Sequence, residues 1–234
     1  MLRLRGQTES CIQQDQCTVL KFRKGEIVYT QEDPATDWFE VLSGTVRTCY
    51  LYSDGHRQLT GFFYPGDVFG IDTGQYASSA EAVTAVTLRR NPRRTEYYSD
   101  AKKDPSVQIA YQSALDNAQA CIFLLGRRTA TERLAAFLLA TAKRFIPDKA
   151  FALPMSRSDI ADHLGLTIHT VSRTLSEFVR RKLIRLNGPH SIFIEDYAGL
   201  SCLAHNDGHE QSLAEHLTCQ QNANGNERVA QFRN

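Results

Sequence analysis

The chain has 234 residues, 42% of them hydrophobic, and a formal net charge of +1. That length and apolar content support one large or two medium cores and exclude wholesale disorder. No apolar run reaches the roughly eighteen residues of a membrane-spanning helix, and the opening MLRLRGQTESC lacks a signal peptide's apolar stretch, so a soluble, cytoplasmic protein with no membrane partner is expected.

Residues 1–18, which include Cys11 and Cys17, are expected to be an N-terminal arm. From Val19 to about Arg90 the hydrophobicity alternates with period two (GEIVYTQ, WFEVLSGTVRTCYLY, RQLTGFFY, AEAVTAVTLRR), broken at Asp33-Pro34, Ser43-Gly44, Asp54-Gly55 and Pro65-Gly66-Asp67. Short strands at that spacing predict a small antiparallel barrel or sandwich over 19–104. From Pro105 the period becomes helical. Tyr111, Ala114, Ala118, Cys121 and Leu125 recur at spacings of three and four, the seam of a two-helix coiled coil and hence a dimer interface over 105–126. A second apolar line, Ile109, Leu115, Ile122 and Leu124, is expected to pack on the barrel. Gly126 closes this helix, Thr129 or Thr131 caps the next (ERLAAFLLATAKRF), and Pro147 stops it.

Residues 155–180, MSRSDIADHLGLTIHTVSRTLSEFVR, carry the strongest functional signal. Ser156 followed by Asp159, flanked by Met155 and Ile160, has the layout of a capping box with a hydrophobic staple. The helix it starts runs to about Leu164, Gly165 supplies a tight turn, and Thr167 caps a second helix with Val171, Leu175, Phe178 and Val179 on its buried stripe. The other face presents Ile168, His169, Thr170, Ser172, Arg173 and Ser176: short side chains around one cationic fork, a surface suited to the major groove of double-stranded DNA. Ser156 and Arg157 on the first helix complete the expected DNA-binding set, with Arg180 and Lys182 as phosphate contacts. LIRLNGPHSIFIED then reads as two strands around Gly188-Pro189, a winged helix-turn-helix over 127–200. Charge agrees, because residues 127–200 hold twelve Lys/Arg against seven Asp/Glu where phosphates would need neutralising. Residues 201–234 read as a polar C-terminal extension.

This α+β order resembles the CRP/FNR superfamily of bacterial transcription regulators over roughly residues 19–200. SGTVRTCYLYSDGHRQLTGFFYPGDVFGID is similar to the FNR-type β-roll, LLGRRTATERLAAFLL to its hinge, and LPMSRSDIADHLGLTIHTVSRTL to the FixK-like branch. The resemblance implies a cyclic-nucleotide-binding-like jelly roll, a long dimerisation helix and a homodimer on an inverted repeat of TTGA and its complement, about six bases apart. It further implies contact with RNA polymerase, an activator's role and genes of microaerobic growth and nitrogen fixation. The base readers map onto His169, Ser172 and Arg173. His169 departs from the branch's usual Glu and cannot offer a carboxylate's two acceptors, which implies an altered or relaxed half-site.

The same comparison bears on cofactors. FNR proteins hold an iron-sulphur cluster on four cysteines, whereas this chain offers Cys11 and Cys17 and has Arg89 at the internal position, too few for a cluster. GDVFGIDTGQYASSAEAV lacks the Gly-Glu-Leu turn and Arg-Ser pair that cradle a cyclic phosphate. No cofactor and no metal are expected. Cys202, His205, His209, His216 and Cys219 are irregularly spaced, and Cys121 reads as a small buried hydrophobe. An enzyme of the cupin type needs several histidines inside the barrel, and His56 alone precedes His163, so no catalytic residue is assigned. The rival reading within the fold is a haem- or nitric-oxide-responsive regulator of denitrification genes with His56 as ligand.

Overall fold

Alternation of buried and exposed side chains builds eight strands before residue 93: β1 (Thr18–Phe22), β2 (Ile27–Tyr29), β3 (Asp37–Ser43), β4 (Val46–Leu51), β5 (Arg57–Phe63), β6 (Val68–Phe69), β7 (Ser79–Ala82) and β8 (Val86–Pro92). The computed structural model describes residues 18–92, 105–127, 129–145, 150–188 and 191–204. Two antiparallel sheets, ordered β1-β8-β3-β6 and β2-β7-β4-β5, face each other across Leu20, Phe22, Phe39, Val46, Phe69 and Leu88. Tyr29 and Tyr76 stack at 3.7 Å in the same core. The β3–β4 turn needs its glycine: Gly44 has φ +84°, and a Cβ there would lie 2.3 Å from the Ala85 carbonyl oxygen.

Helix α1 (Pro105–Leu125) approaches β5, β6 and the following helix, α2 (Ala130–Ala142). Thr129 caps α2, its hydroxyl accepting from Glu132 N–H while the Glu132 carboxylate accepts from Thr129 N–H. Thr131 is therefore not the cap. After a 3-10 turn (Lys143–Phe145) come β9 (Ala150–Ala152), α3 (Arg157–Leu164), α4 (Ile168–Arg180), β10 (Ile184–Leu186), β11 (Ser191–Ile194) and α5 (Tyr197–Ala204). The wing is a three-stranded sheet, β10-β11-β9, so β9 adds a strand to the expected pair. Pro147 and Pro189 lie outside the described residues. Helix α5 packs on α2 through Leu200 and Ala204, which carries the domain past residue 200 into the stretch read as a polar extension.

The second core does not stop at a domain boundary. Tyr64 and Val83 of the barrel join Leu134, Leu138, Ile160, Leu164, Phe178 and Leu200 in one buried cluster. On α1 the structure reverses one expectation. Ile109, Leu115 and Ile122, the line expected on the barrel, stand 69%, 52% and 68% exposed, and only Leu124 of that line packs inward. Ala114, Asn117 and Cys121 instead turn toward the barrel, where with Leu124, Phe62 and Phe137 they line a cavity, so the rotation of α1 as it packs on β5, β6 and α2 turns the bulkier line outward. Of the residues read as a seam, Tyr111 and Ala118 are exposed, while Ala114, Cys121 and Leu125 are half-buried within the single chain.

Leu138 is fully buried where α2 meets this shared core. Leu138→Ala is expected to lower folding stability by about 2–5 kcal/mol, measured as a shift of the urea midpoint at unchanged slope.

Candidate nucleic-acid interface

The α3 capping box forms as its residues require: Ser156 Oγ accepts from Asp159 N–H at 3.1 Å, and Asp159 Oδ2 accepts from Ser156 N–H at 3.0 Å. Ser156 also donates its hydroxyl to Asp159 Oδ2 at 2.8 Å, so this residue is engaged within its own helix cap. Gly165 closes α3 in the left-handed region (φ 62°, ψ 42°), and Arg133 on α2 donates to the Leu164 carbonyl at 3.0 Å, satisfying an end the helix cannot satisfy itself. Thr167 then caps α4 by accepting from Thr170 N–H at 3.1 Å.

Helix α4 buries Val171, Thr174, Leu175 and Phe178, a stripe at i, i+3, i+4 and i+7. Val179, expected in that stripe, is 39% exposed, because a step of eight residues from Val171 turns it about 80°, past the edge that Leu175 occupies. Ile168, His169, Arg173 and Ser176 project outward, with Thr170 and Ser172 half-buried at the margin. Arg173 engages no side chain among the described residues. Arg157 donates to Ser172 Oγ at 3.3 Å and so ties the two helices together. Arg180 pairs with Glu177 at 2.6 Å on the surface, a contact of about 0–1 kcal/mol that a phosphate can displace. Lys182 adopts φ 57° in the turn that leads to the wing.

Sequence reasoning missed a third surface of α3, the one turned toward the barrel. Arg47 on β4 forms an ion pair with Asp159 and holds both oxygens of Glu81 on β7 at 2.9 Å. Arg57 on β5 reaches Asp162 at 2.7 Å and Asp159 at 3.1 Å. Gln58 donates to the Asp162 carbonyl at 2.7 Å. His163 Nδ1 lies 3.2 Å from the Leu59 carbonyl, and because that oxygen only accepts, Nδ1 carries the proton. The ring sits edge-on to Phe62 and Phe137. Asp159, Asp162 and His163 lie at i, i+3 and i+4, so their shared face was readable, but the Asp159 cap had already accounted for one of them.

Residues 132–203 match the Crp-like helix-turn-helix domain, and residues 19–95 match the cyclic nucleotide-binding domain. The nitrogen fixation regulation protein FixK of Azorhizobium caulinodans is 39% identical over 189 residues, covering 76% of this chain and 76% of that protein. The chain belongs to the CRP/FNR family. It is a DNA-binding transcription regulator of that type. FixK of Rhizobium meliloti is 37% identical over 177 residues, 75% of this chain and 82% of that one. The structure of FixK2 from Bradyrhizobium japonicum superimposes with a TM-score of 0.73 at 37% identity, covering 80% of this chain and 96% of that chain. A CooA mutant from Carboxydothermus hydrogenoformans, 22% identical, shares the fold with a TM-score of 0.65 over 80% of this chain and 87% of that one.

The family's cyclic nucleotide-binding domain raises the question of an anion between barrel and helices. A cavity of about 450 Å³ does lie there, bounded by Thr48, Thr60, Phe62, Asn117, Cys121 and Phe137. Its donor set does not fit a cyclic phosphate. Arg144 is bound to both oxygens of Asp67 at 2.6 and 2.7 Å, Arg127 bonds the Ala204 carbonyl, and Asp72 adds a carboxylate to the lining. Arg89, which the family resemblance sets at the internal iron-sulphur ligand's position, pairs with Glu40 at 2.5 Å. Cys11, Cys17, His205, His209, His216 and Cys219 lie outside the described residues, and Cys202 is exposed on α5. Burial pushes the Cys49 and Cys121 thiols up, away from the reactive thiolate. His56 stands exposed at the β4–β5 turn, 5.5 Å from the Tyr52 ring.

His163 makes the contact between α3 and barrel sensitive to pH. Burial holds its imidazole below the usual range, with the Leu59 contact opposing. The unfolded chain takes this proton at about pH 6.5 and the folded protein only at lower pH, so the contribution is complete above about pH 6.5 and is lost as pH falls toward the folded value. The thermal midpoint is expected to drop between about pH 7.5 and pH 5.5, and His163→Gln to flatten that decline. An unchanged slope in the variant would remove His163 as its source.

Proposed function

We propose that this regulator acts in the cytoplasm as a homodimer on an inverted repeat resembling TTGA and TCAA about six base pairs apart, and that it activates transcription through RNA polymerase. The observation that carries this reading is α4: its apolar stripe is buried, Ile168, His169 and Arg173 stand exposed on its other face, and Arg173 engages no side chain among the described residues. A guanidinium there reaches guanine O6 and N7 in the major groove, while Thr170, Ser172 and Arg157 set register on the backbone. Arg180 and Lys182, beyond the helix, supply phosphate contacts. Control of nitrogen fixation and microaerobic genes is inferred from the FixK proteins of Azorhizobium caulinodans, Rhizobium meliloti and Bradyrhizobium diazoefficiens, each named for nitrogen fixation regulation.

Two-fold symmetry is assigned to α1. Tyr111, Leu115, Ala118 and Ile122 are exposed at spacings of four, three and four, a stripe that a second copy of the helix would bury. This stripe keeps Tyr111 and Ala118 of the expected seam and replaces its half-buried members.

Selection from random duplexes is expected to return a palindrome whose half-sites lie about one helical turn apart. Arg173→Ala should cost about 1–3 kcal/mol on the selected site and relax one base pair per half-site. An equal loss on random DNA would refute base reading by Arg173. His169 offers one donor and one acceptor where the branch has a carboxylate, so His169→Glu should move the selected sequence toward TTGA, and an identical profile would deny His169 a part in readout.

A further inference from the structure

We infer that the clasp between the β4–β5 hairpin and α3 sets the spacing of half-sites that the dimer accepts, with Arg57 and Asp162 as its positioning residues. The inference rests on the dimeric reading proposed above. Its basis is a chain of rigid contacts. Arg47 is anchored inside the barrel by Glu81, and its side chain is 15% exposed. From there the clasp reaches Asp159 at the start of α3 and, through Arg57 and Gln58, the side chain and carbonyl of Asp162 one turn later. His163 adds a bond from the next residue to the Leu59 carbonyl. An eight-residue helix is thus held at its first turn by Asp159 and at its second by Asp162 and His163, which opposes rolling on the sheet.

The grip on α3 passes to the reading helix. Arg157 on α3 bonds Ser172 on α4, and the two helices share the buried Ile160, Leu164, Val171 and Leu175. Barrel, α3 and α4 therefore turn together, and α1, which packs on β5 and β6, carries the proposed symmetry axis. Small rotations matter at such a distance. About 10° on an arm of about 20 Å moves the tip by about 3.5 Å, close to the 3.4 Å rise of one base pair. Loosening the clasp lets each α4 seek a half-site independently, so a spacer one base pair too short or too long stops being penalised.

Charge placement makes the contact separable from the fold. The barrel contributes the cations and α3 the carboxylates, and the Arg57 side chain is 35% exposed and the Asp162 side chain 24% exposed at the rim of the interface. The test measures binding of the full-length protein to the selected palindrome, to versions with the spacer changed by one base pair either way, and to a single half-site. Wild-type protein should discriminate between spacers. Arg57→Glu should weaken the preferred palindrome by about tenfold, lose most of that discrimination and keep half-site affinity. Combining it with Asp162→Arg should recover part of both, since the pair at the rim is rebuilt with its polarity exchanged and the introduced guanidinium also lies between the new carboxylate and Asp159, and this rescue shows that the single variant had folded. Retained spacer discrimination in Arg57→Glu, equal losses on palindrome and half-site, or a double variant no better than the single one would each overturn the positioning role. A wild-type protein with no preference for any palindrome would instead overturn the dimeric reading, and the spacing role with it.

Discussion

The Asp159 carboxylate is the point on which two levels of this structure converge. Its oxygens end the unsatisfied backbone at the start of α3 and receive guanidinium groups from the barrel, with the side chain only 5% exposed. Taking a carboxylate that far from water costs several kcal/mol, and the cost is offset only when most of its lone pairs are occupied. Here Ser156, Arg47 and Arg57 occupy them. Removing one partner from such an arrangement typically destabilises by about 3–5 kcal/mol, whereas an apolar replacement of the whole set is often neutral. Its value is therefore directional, since it specifies how the helix sits on the sheet.

That directionality matters because the rest of the interface is apolar and tolerant of sliding. Tyr64 and Val83 enter the same core as α2, α3 and α4, and area burial by itself does not choose among nearby packings. The second polar link, Asp67 with Arg144 in the 3-10 turn after α2, adds a fixed point, and Arg144 also lies 5.5 Å over the Tyr64 ring. In the proposed dimer, whose two reading helices would reach successive turns of duplex, such fixed points decide geometry that hydrophobic burial leaves open. The cavity beside α1 is bounded by the same elements, and its two cations are committed to the protein's own oxygens.

Local signals were the legible ones. The Ser156–Asp159 box, the left-handed Gly165 and the Thr167 cap each act within four residues, so their spacing along the chain is their spacing in the structure. The alternation that marks β3 and β4 is equally local, since a pleated strand turns successive side chains to opposite faces. Val179 and Thr174 show the limit: both sit near the stripe's edge, and depth of packing against neighbouring elements decides which one is covered. The two apolar lines of α1 show it again. Tyr111, Leu115 and Ile122 are larger than Ala114 and Cys121, yet the small residues face the cavity beside the barrel, because the contacts of α1 with β5, β6 and α2, not the size of its own side chains, decide which face turns inward.

Capping chemistry, strand alternation and the polar face of α4 were thus written in the chain itself, as was the cationic excess that accompanies that face. The partners of Asp159, Asp162 and His163 were not. Arg47, Arg57 and Leu59 lie about a hundred residues earlier, and pairing at that range follows from how two cores dock rather than from any periodicity. The Asp159 cap was readable because both its atoms belong to one turn; its second role came into being only when the barrel closed over it.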